Sequence, residues 1–139
     1  MPAKDFYHDH VKFALEAEGW KITHDPFFIR VGRRKSFIDL GAEKAVIGAE
    51  KEGVKIAVEI KSFLGASDLD EFEDALGQFI IYFNALEEKD PDRHLYMAMP
   101  GDFYERFFED GFFRKLAERY SLKMIIFDEK TKVIHKWIK

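Results

Sequence analysis

The sequence predicts an α/β domain with a mixed central sheet flanked by helices, in the order α-β-β-β-α-β-α-β-β. Three observations carry this. Strand-like runs at Trp20 to Arg30, Phe37 to Ala42 and Val54 to Ser62 follow one amphipathic helix with no second helix between them. A long helical pattern opened by Ser67 then separates them from the apolar run His94 to Met99. A phenylalanine-rich helix and two further strands close the chain.

Each element has a local reason. Residues Asp5 to Glu18 place Phe6, Tyr7, Val11, Phe13, Ala14, Leu15 and Ala17 on one side at helical spacing, and Gly19 ends the helix. His8 falls at the border of that face, open to a surface or a cleft reading. The first strand is interrupted at Asp25-Pro26, because proline cannot donate to a ladder. Gly32 to Lys35 is a turn. The second strand carries Asp39 between Ile38 and Leu40 and is expected to run on through Val46-Ile47, with Lys51-Glu52-Gly53 turning into the third. Gly41 within that strand marks close approach of a ligand or another backbone. In the long helix, Ser67 is the N-cap and Asp68, Asp70 and Glu71 complement the macrodipole. Its expected core stripe is Leu69, Phe72, Leu76, Phe79, Ile80, Phe83 and Leu86, with Gln78 and Tyr82 stacked on one flank. Asp102 caps the last helical region, which is disturbed at Gly111. Leu122 to Asp128 and Val133 to Ile138 are the final strands.

At 139 residues the chain makes one domain, 1–139, with a substantial core. Aromatic residues at 16%, fifteen of them phenylalanine, argue for packing and against disorder. No cysteine is present, which excludes disulfides and cysteine-based zinc sites. No apolar signal region or run of about 18 apolar residues is visible, so a soluble, cytoplasmic protein without membrane contact is expected. The net charge of -4 disfavours tight non-specific binding to nucleic acid, yet Arg30, Arg33, Arg34 and Lys35 form one basic cluster.

The chemistry gathers on the third strand. Period two puts Ala57, Glu59 and Lys61 on one face and Ile56, Val58 and Ile60 on the other. Charges beside so apolar a run are costly to bury unless paired, metal-bound or opened to a cleft. An exposed cross-strand pair is the plainer alternative. Asp39 on the adjoining strand can converge on the same face, although a structural aspartate capping a loop would also fit. Two carboxylates and the Ile60 carbonyl make a hard oxygen set for Mg²⁺ or Mn²⁺. Lys61 is then placed to hold the attacking water. The five histidines show no ligand spacing, and no phosphate loop or nucleophile elbow is present.

This pattern resembles the PD-(D/E)xK nuclease superfamily, whose restriction-endonuclease-like αβββαβ core carries Asp on the second strand and (D/E)-x-K on the third. Here the core would have an added C-terminal helix and strand pair. Gln78 and Tyr82 resemble the Q-x-x-x-Y motif of several branches. Asp5 and His8, Gly19-Trp20, Thr23 to Pro26, Ile38 to Lys44, Ala57 to Gly65, Ala75 to Gln78 and Trp137-Ile138 are together similar to the XisH family, nearly end to end.

The resemblance implies an fdxN element excision controlling factor acting in programmed DNA rearrangement in cyanobacteria, accompanied by a small XisI-like partner. It implies catalytic roles for Asp39, Glu59, Lys61, Gln78, Tyr82 and His8, with Asp39, Glu59 and Ile60 on the metal. DNA contacts fall to Arg30, Arg33, Arg34 and Lys35. His8 fits the family pattern and Glu16 the residue type for a further ligand from the first helix; His8 is favoured. Ile38 replaces the proline usual before the strand-two Asp. The expected activity is Mg²⁺-dependent endonucleolytic hydrolysis of DNA, with a homodimer for double-strand cleavage. The alternative is a non-catalytic controlling factor that binds DNA, a recombinase or the XisI-like partner.

Overall fold

The computed structural model describes residues 4–45 and 53–139. Its elements are α1 (His8–Ala17), β1 (Lys21–His24), β2 (Phe27–Val31), β3 (Arg34–Ile38), β4 (Leu40–Lys44), β5 (Val54–Ile60) and α2 (Asp68–Lys89). They continue with β6 (Arg93–Pro100), α3 (Gly101–Phe107), α4 (Gly111–Arg119), β7 (Met124–Asp128) and β8 (Val133–Ile138). Six strands form one sheet in the order β1-β4-β5-β6-β7-β8, while β2 and β3 form a separate two-stranded ribbon. The sheet is mixed as expected: β5 is antiparallel to β4 and parallel to β6, and β7 is parallel to β6 and antiparallel to β8.

The three strands expected before α2 are five, because the first two are each broken. Asp25-Pro26 separates β1 from β2, as the missing proline N–H foretold. Asp39 separates β3 from β4, which the alternation around it did not foretell. Its N–H donates to the Glu59 side chain at 3.2 Å. Val46-Ile47 and the Lys51-Glu52 part of the expected turn lie outside the described residues.

Helices cover both faces of the sheet. Val11 and Leu15 of α1 pack with Leu40, Ile56, Val58, Ile60 and Phe127 on one face. On the other, α2, α3, α4 and the ribbon's Ile29 and Ile38 enclose Ala57, Met97, Met99 and Ile126. The alternation read along β5 therefore divides the two cores, with Ala57 and Ile56 on opposite sides.

Both helix faces need correcting. Phe6, just before α1, and Phe13 on it are exposed, and His8, Val11, Ala14 and Leu15 are buried. On α2, Leu69, Ile80 and Phe83 of the expected stripe are exposed, while Phe72, Ala75, Phe79, Tyr82, Ala85 and Leu86 are buried. Apolar residues run round most of α2, so hydrophobicity alone could not choose the face. The small Ala75 and Ala85 lie on the packed side instead, where they let the helix approach its neighbours and carry Tyr82 inward. Ser67 is the N-cap, accepting from the Asp70 N–H at 3.2 Å. The phenylalanine-rich helix is two helices. Asp110 caps the second, accepting from the Phe112 N–H at 3.0 Å.

The close approach at Gly41 is to side chains of this chain and not to another backbone. A Cβ there would lie 2.8 Å from Cδ2 of Phe27 and 3.1 Å from His24, and Phe27 is buried. Gly41→Ala is expected to lower the unfolding free energy by about 1–3 kcal/mol in urea titrations, since a packed ring cannot move aside freely. A loss under about 0.5 kcal/mol would mean that the strand gives way there.

Candidate active site

β5 is a central strand with neighbours on both sides, and its final residues carry the charges. Glu59 points away from the α1 face and is only 7% exposed. The polar environment is built locally. Oε1 of Glu59 accepts from the Asp39 N–H, and Oδ2 of Asp39 accepts from the Ile60 N–H at 2.7 Å. These two bonds bring the carboxyl groups of Asp39 and Glu59 close enough for the charge of one to act on the other. Lys61 follows β5 directly. Its N–H donates to the Ala98 carbonyl at 2.9 Å, and its Nζ stands 3.6 Å from Oε2 of Glu59.

This placement changes the acidities. Burial first, then the charge of Asp39, pushes the Glu59 carboxyl up to about 8, against the opposing pull of Lys61. Burial likewise raises Asp39, partly offset by the Ile60 N–H. Near neutral pH the pair retains a proton. Two adjoining carboxyls that resist ionising together are a site for positive charge.

They open on a cavity of about 390 Å³. Asp39, Glu59, Ile60 and Lys61 line it with Gln78 and Tyr82 from α2 and Lys35 from β3, so seven of the predicted residues meet there. The Gln78 Nε2 donates to the Tyr82 hydroxyl at 3.0 Å, and that hydroxyl shares a 2.9 Å hydrogen bond with Ser36 of β3. Oε1 of Gln78 is buried without a hydrogen-bond partner. Ser36 and Phe37 of β3 also line the cavity. The remaining predicted cations, Arg30, Arg33 and Arg34, stand exposed along the ribbon.

Four lining residues carry no role predicted from the sequence: Ser36 and Phe37 of β3, and Lys4 and Asp5. Asp5 and Lys4 reach the cavity from the segment before α1. Asp5 accepts from the Ser62 N–H at 3.1 Å and from the Tyr7 N–H at 2.9 Å, tying that segment to the end of β5. Its membership in the opening motif was the available signal.

His8 takes a different position. It is 4% exposed, its Nε2 lies 2.7 Å from Oδ1 of Asp25, and it is not among the cavity's lining residues. Burial tends to raise Asp25, yet Lys12 and His8 hold it below its ordinary value. The influence of His8 on Asp39 is electrostatic. Glu16 is exposed on α1 and is likewise not among the lining residues.

The donor set fits a small hard cation. Two carboxyls of raised proton affinity and a neighbouring carbonyl leave room for the waters that Mg²⁺ or Mn²⁺ retains. Among the described residues, no group of three or more His, Cys, Asp or Glu side chains is assembled for a metal. A closed zinc site is thus not what these residues form.

The fold and cavity define a mixed α/β protein with an acid-acid-lysine site at the end of its central strand. The chain belongs to the XisH family, whose model, described as XisH protein, matches residues 1–135. It is similar to the crystal structure of an XisH family protein from Nostoc punctiforme, with 43% identity and a TM-score of 0.85 over 97% of this chain and 100% of that one. It is similar also to an fdxN element excision controlling factor protein from Anabaena variabilis, with 42% identity and a TM-score of 0.86 over 98% and 100% of the chains. No curated protein matches it significantly. Among the described residues no helix is long and apolar enough to cross a membrane.

The raised Glu59 makes stability depend on pH. Its folded value of about 8 exceeds the ordinary 4.5, so the folded state holds the proton more tightly. Stability from this group is complete below about pH 4.5 and is lost as pH rises through about 8. In metal-free protein, Glu59→Gln is expected to flatten that decline and leave the variant at least ~1 kcal/mol more stable than its parent near pH 8.5 in chemical denaturation. Parallel curves for the two proteins would contradict a protonated Glu59.

Proposed function

We propose that the chain is a metal-dependent endodeoxyribonuclease of the PD-(D/E)xK type, acting in the programmed excision of DNA elements. The convergence of Asp39, Glu59 and Lys61 on one cavity carries this reading. The excision context is supported by the Anabaena variabilis relative, described as an fdxN element excision controlling factor.

Asp39, Glu59 and the Ile60 carbonyl hold Mg²⁺ or Mn²⁺. The bound cation supplies Lewis-acid stabilisation of phosphate charge and makes water more acidic. Lys61 orients the attacking water and offsets charge on the phosphate. Gln78 and Tyr82 keep α2 and β3 in register around the cavity through Ser36. Arg30, Arg33, Arg34 and Lys35 meet the DNA backbone. His8 acts indirectly, by holding Asp25. One such site cuts one strand, so a homodimer serves double-strand cleavage.

A second reading is favoured by the net charge of -4 and by the relative's description as a controlling factor. In it the same fold binds DNA, a recombinase or an XisI-like partner without cutting. Incubation with linear, supercoiled and branched DNA plus Mg²⁺ or Mn²⁺ separates the two. Cleavage is expected, with Lys61→Ala slowing it about 100-fold or more and Asp39→Ala reducing it to background. If the unmutated protein cuts no substrate with either metal, alone or with an XisI-like protein, the nuclease reading is wrong.

A further inference from the structure

The ribbon offers more than positive charge. Its register pairs Phe28 with Phe37 and Arg30 with Lys35 across the two strands. Cross-strand partners share a face, so these four side chains stand together, while Ile29, Ser36 and Ile38 take the opposite face. That opposite face is packed. Ile29 and Ile38 are fully buried, and Ser36 bonds Tyr82 of α2.

The first face is open. Arg30 and Lys35 are exposed, Phe28 and Phe37 are half-buried, and the two rings meet edge-on at 5.9 Å. Lys35 and Phe37 line the cavity that holds Asp39 and Glu59. Phe28 and Arg30 line an adjoining concavity of about 290 Å³ with Ala85, Glu88 and Lys89 of α2. Nζ of Lys89 lies 5.1 Å from the Phe28 ring centre, and the Arg30 guanidinium 5.8 Å from it. Among the described residues Arg30, Arg33, Arg34 and Lys35 form no ion pair. Aromatic rings interleaved with unpaired cations thus continue outward from the carboxyl pair.

We propose that this face is the track for a single, unpaired DNA strand, with bases against Phe28 and Phe37 and phosphates against Arg30, Lys35 and Lys89. The direction of the track, into the cavity, rests on the nuclease reading. Rings can stack only on base faces that pairing has not already hidden, which selects an unpaired strand. The ribbon itself is not free to enter a major groove along its length, because its other face is committed to α2. The substrate of the site is therefore DNA with an unpaired segment beside the scissile phosphate, such as a branch or flap.

Binding is tested without chemistry, by fluorescence anisotropy in EDTA with a labelled 20-nucleotide oligo(dT) and a random duplex of equal length. Oligo(dT) is expected to bind at least about tenfold more tightly than duplex. Phe28→Leu and Phe37→Leu, each removing a ring while keeping apolar volume, are each expected to weaken oligo(dT) about fivefold or more and to leave duplex binding unchanged. Arg30→Ala with Lys35→Ala is expected to weaken both ligands and reduce the salt slope for oligo(dT) by about 1.4. Near-UV circular dichroism and thermal melting establish which variants fold, and any one that does suffices. Duplex binding as tight as oligo(dT), or folded ring variants within twofold of the parent, overturns the proposal. If oligo(dT) is preferred but no DNA is cut with metal, the track stands and the nuclease reading fails. Cleavage of plain duplex without that preference has the reverse meaning.

Discussion

Two reciprocal hydrogen bonds between Asp39 and β5 hold the rest of the molecule in place. The backbone N–H of Asp39 goes to the Glu59 side chain, and the Asp39 side chain takes the backbone N–H of Ile60. Both bonds have a carboxyl acceptor, and each stabilises a pairing that ordinary ladder bonds would otherwise make. Because Asp39 is satisfied this way, the chain can break there. β4 stays in the sheet and β3 departs as half of the ribbon. The same two bonds set the carboxyls side by side, so the strand break and the charge site have one cause.

Distant contacts keep that corner rigid. Arg93, at the start of β6, donates to the carbonyls of Ile56 at 2.9 Å and Ala42 at 3.4 Å, and its Nε to Asp90 at 3.1 Å. Its guanidinium also lies 4.8 Å from the Phe27 ring centre. One buried cation therefore joins β4, β5, β6 and the base of the ribbon. At the other end of β5, Asp5 ties the leading segment to Ser62. A residue far from the carboxyl pair can thus set where the carboxyls stand.

Much of this was legible in the sequence. The period of two along β5 placed Glu59 and Lys61 together, and the proline at 26 marked a real break. The order of helices and strands followed from periodicity and caps such as Ser67. The rest depended on competitions that periodicity does not report. Asp39 looked like a mid-strand residue because Ile38 and Leu40 flank it; both are buried, but on opposite faces of the sheet. The pattern does not reveal the packed face of α2, because Leu69, Ile80 and Phe83 are as apolar as the residues that pack, and alanines decide the helix approach. His8 looked like a border residue, yet burial became acceptable once Asp25, distant in sequence, supplied a partner.

The proposed metal site requires that Asp39 and Glu59 share a proton only until a divalent cation takes its place. Calorimetric titration of Mn²⁺ at about pH 7, in buffers of differing ionisation enthalpy, tests this most directly. One site per chain is expected, releasing close to one proton on binding and lost in Asp39→Asn. Absence of Mn²⁺ binding, or binding that releases no proton and survives Asp39→Asn, would contradict it.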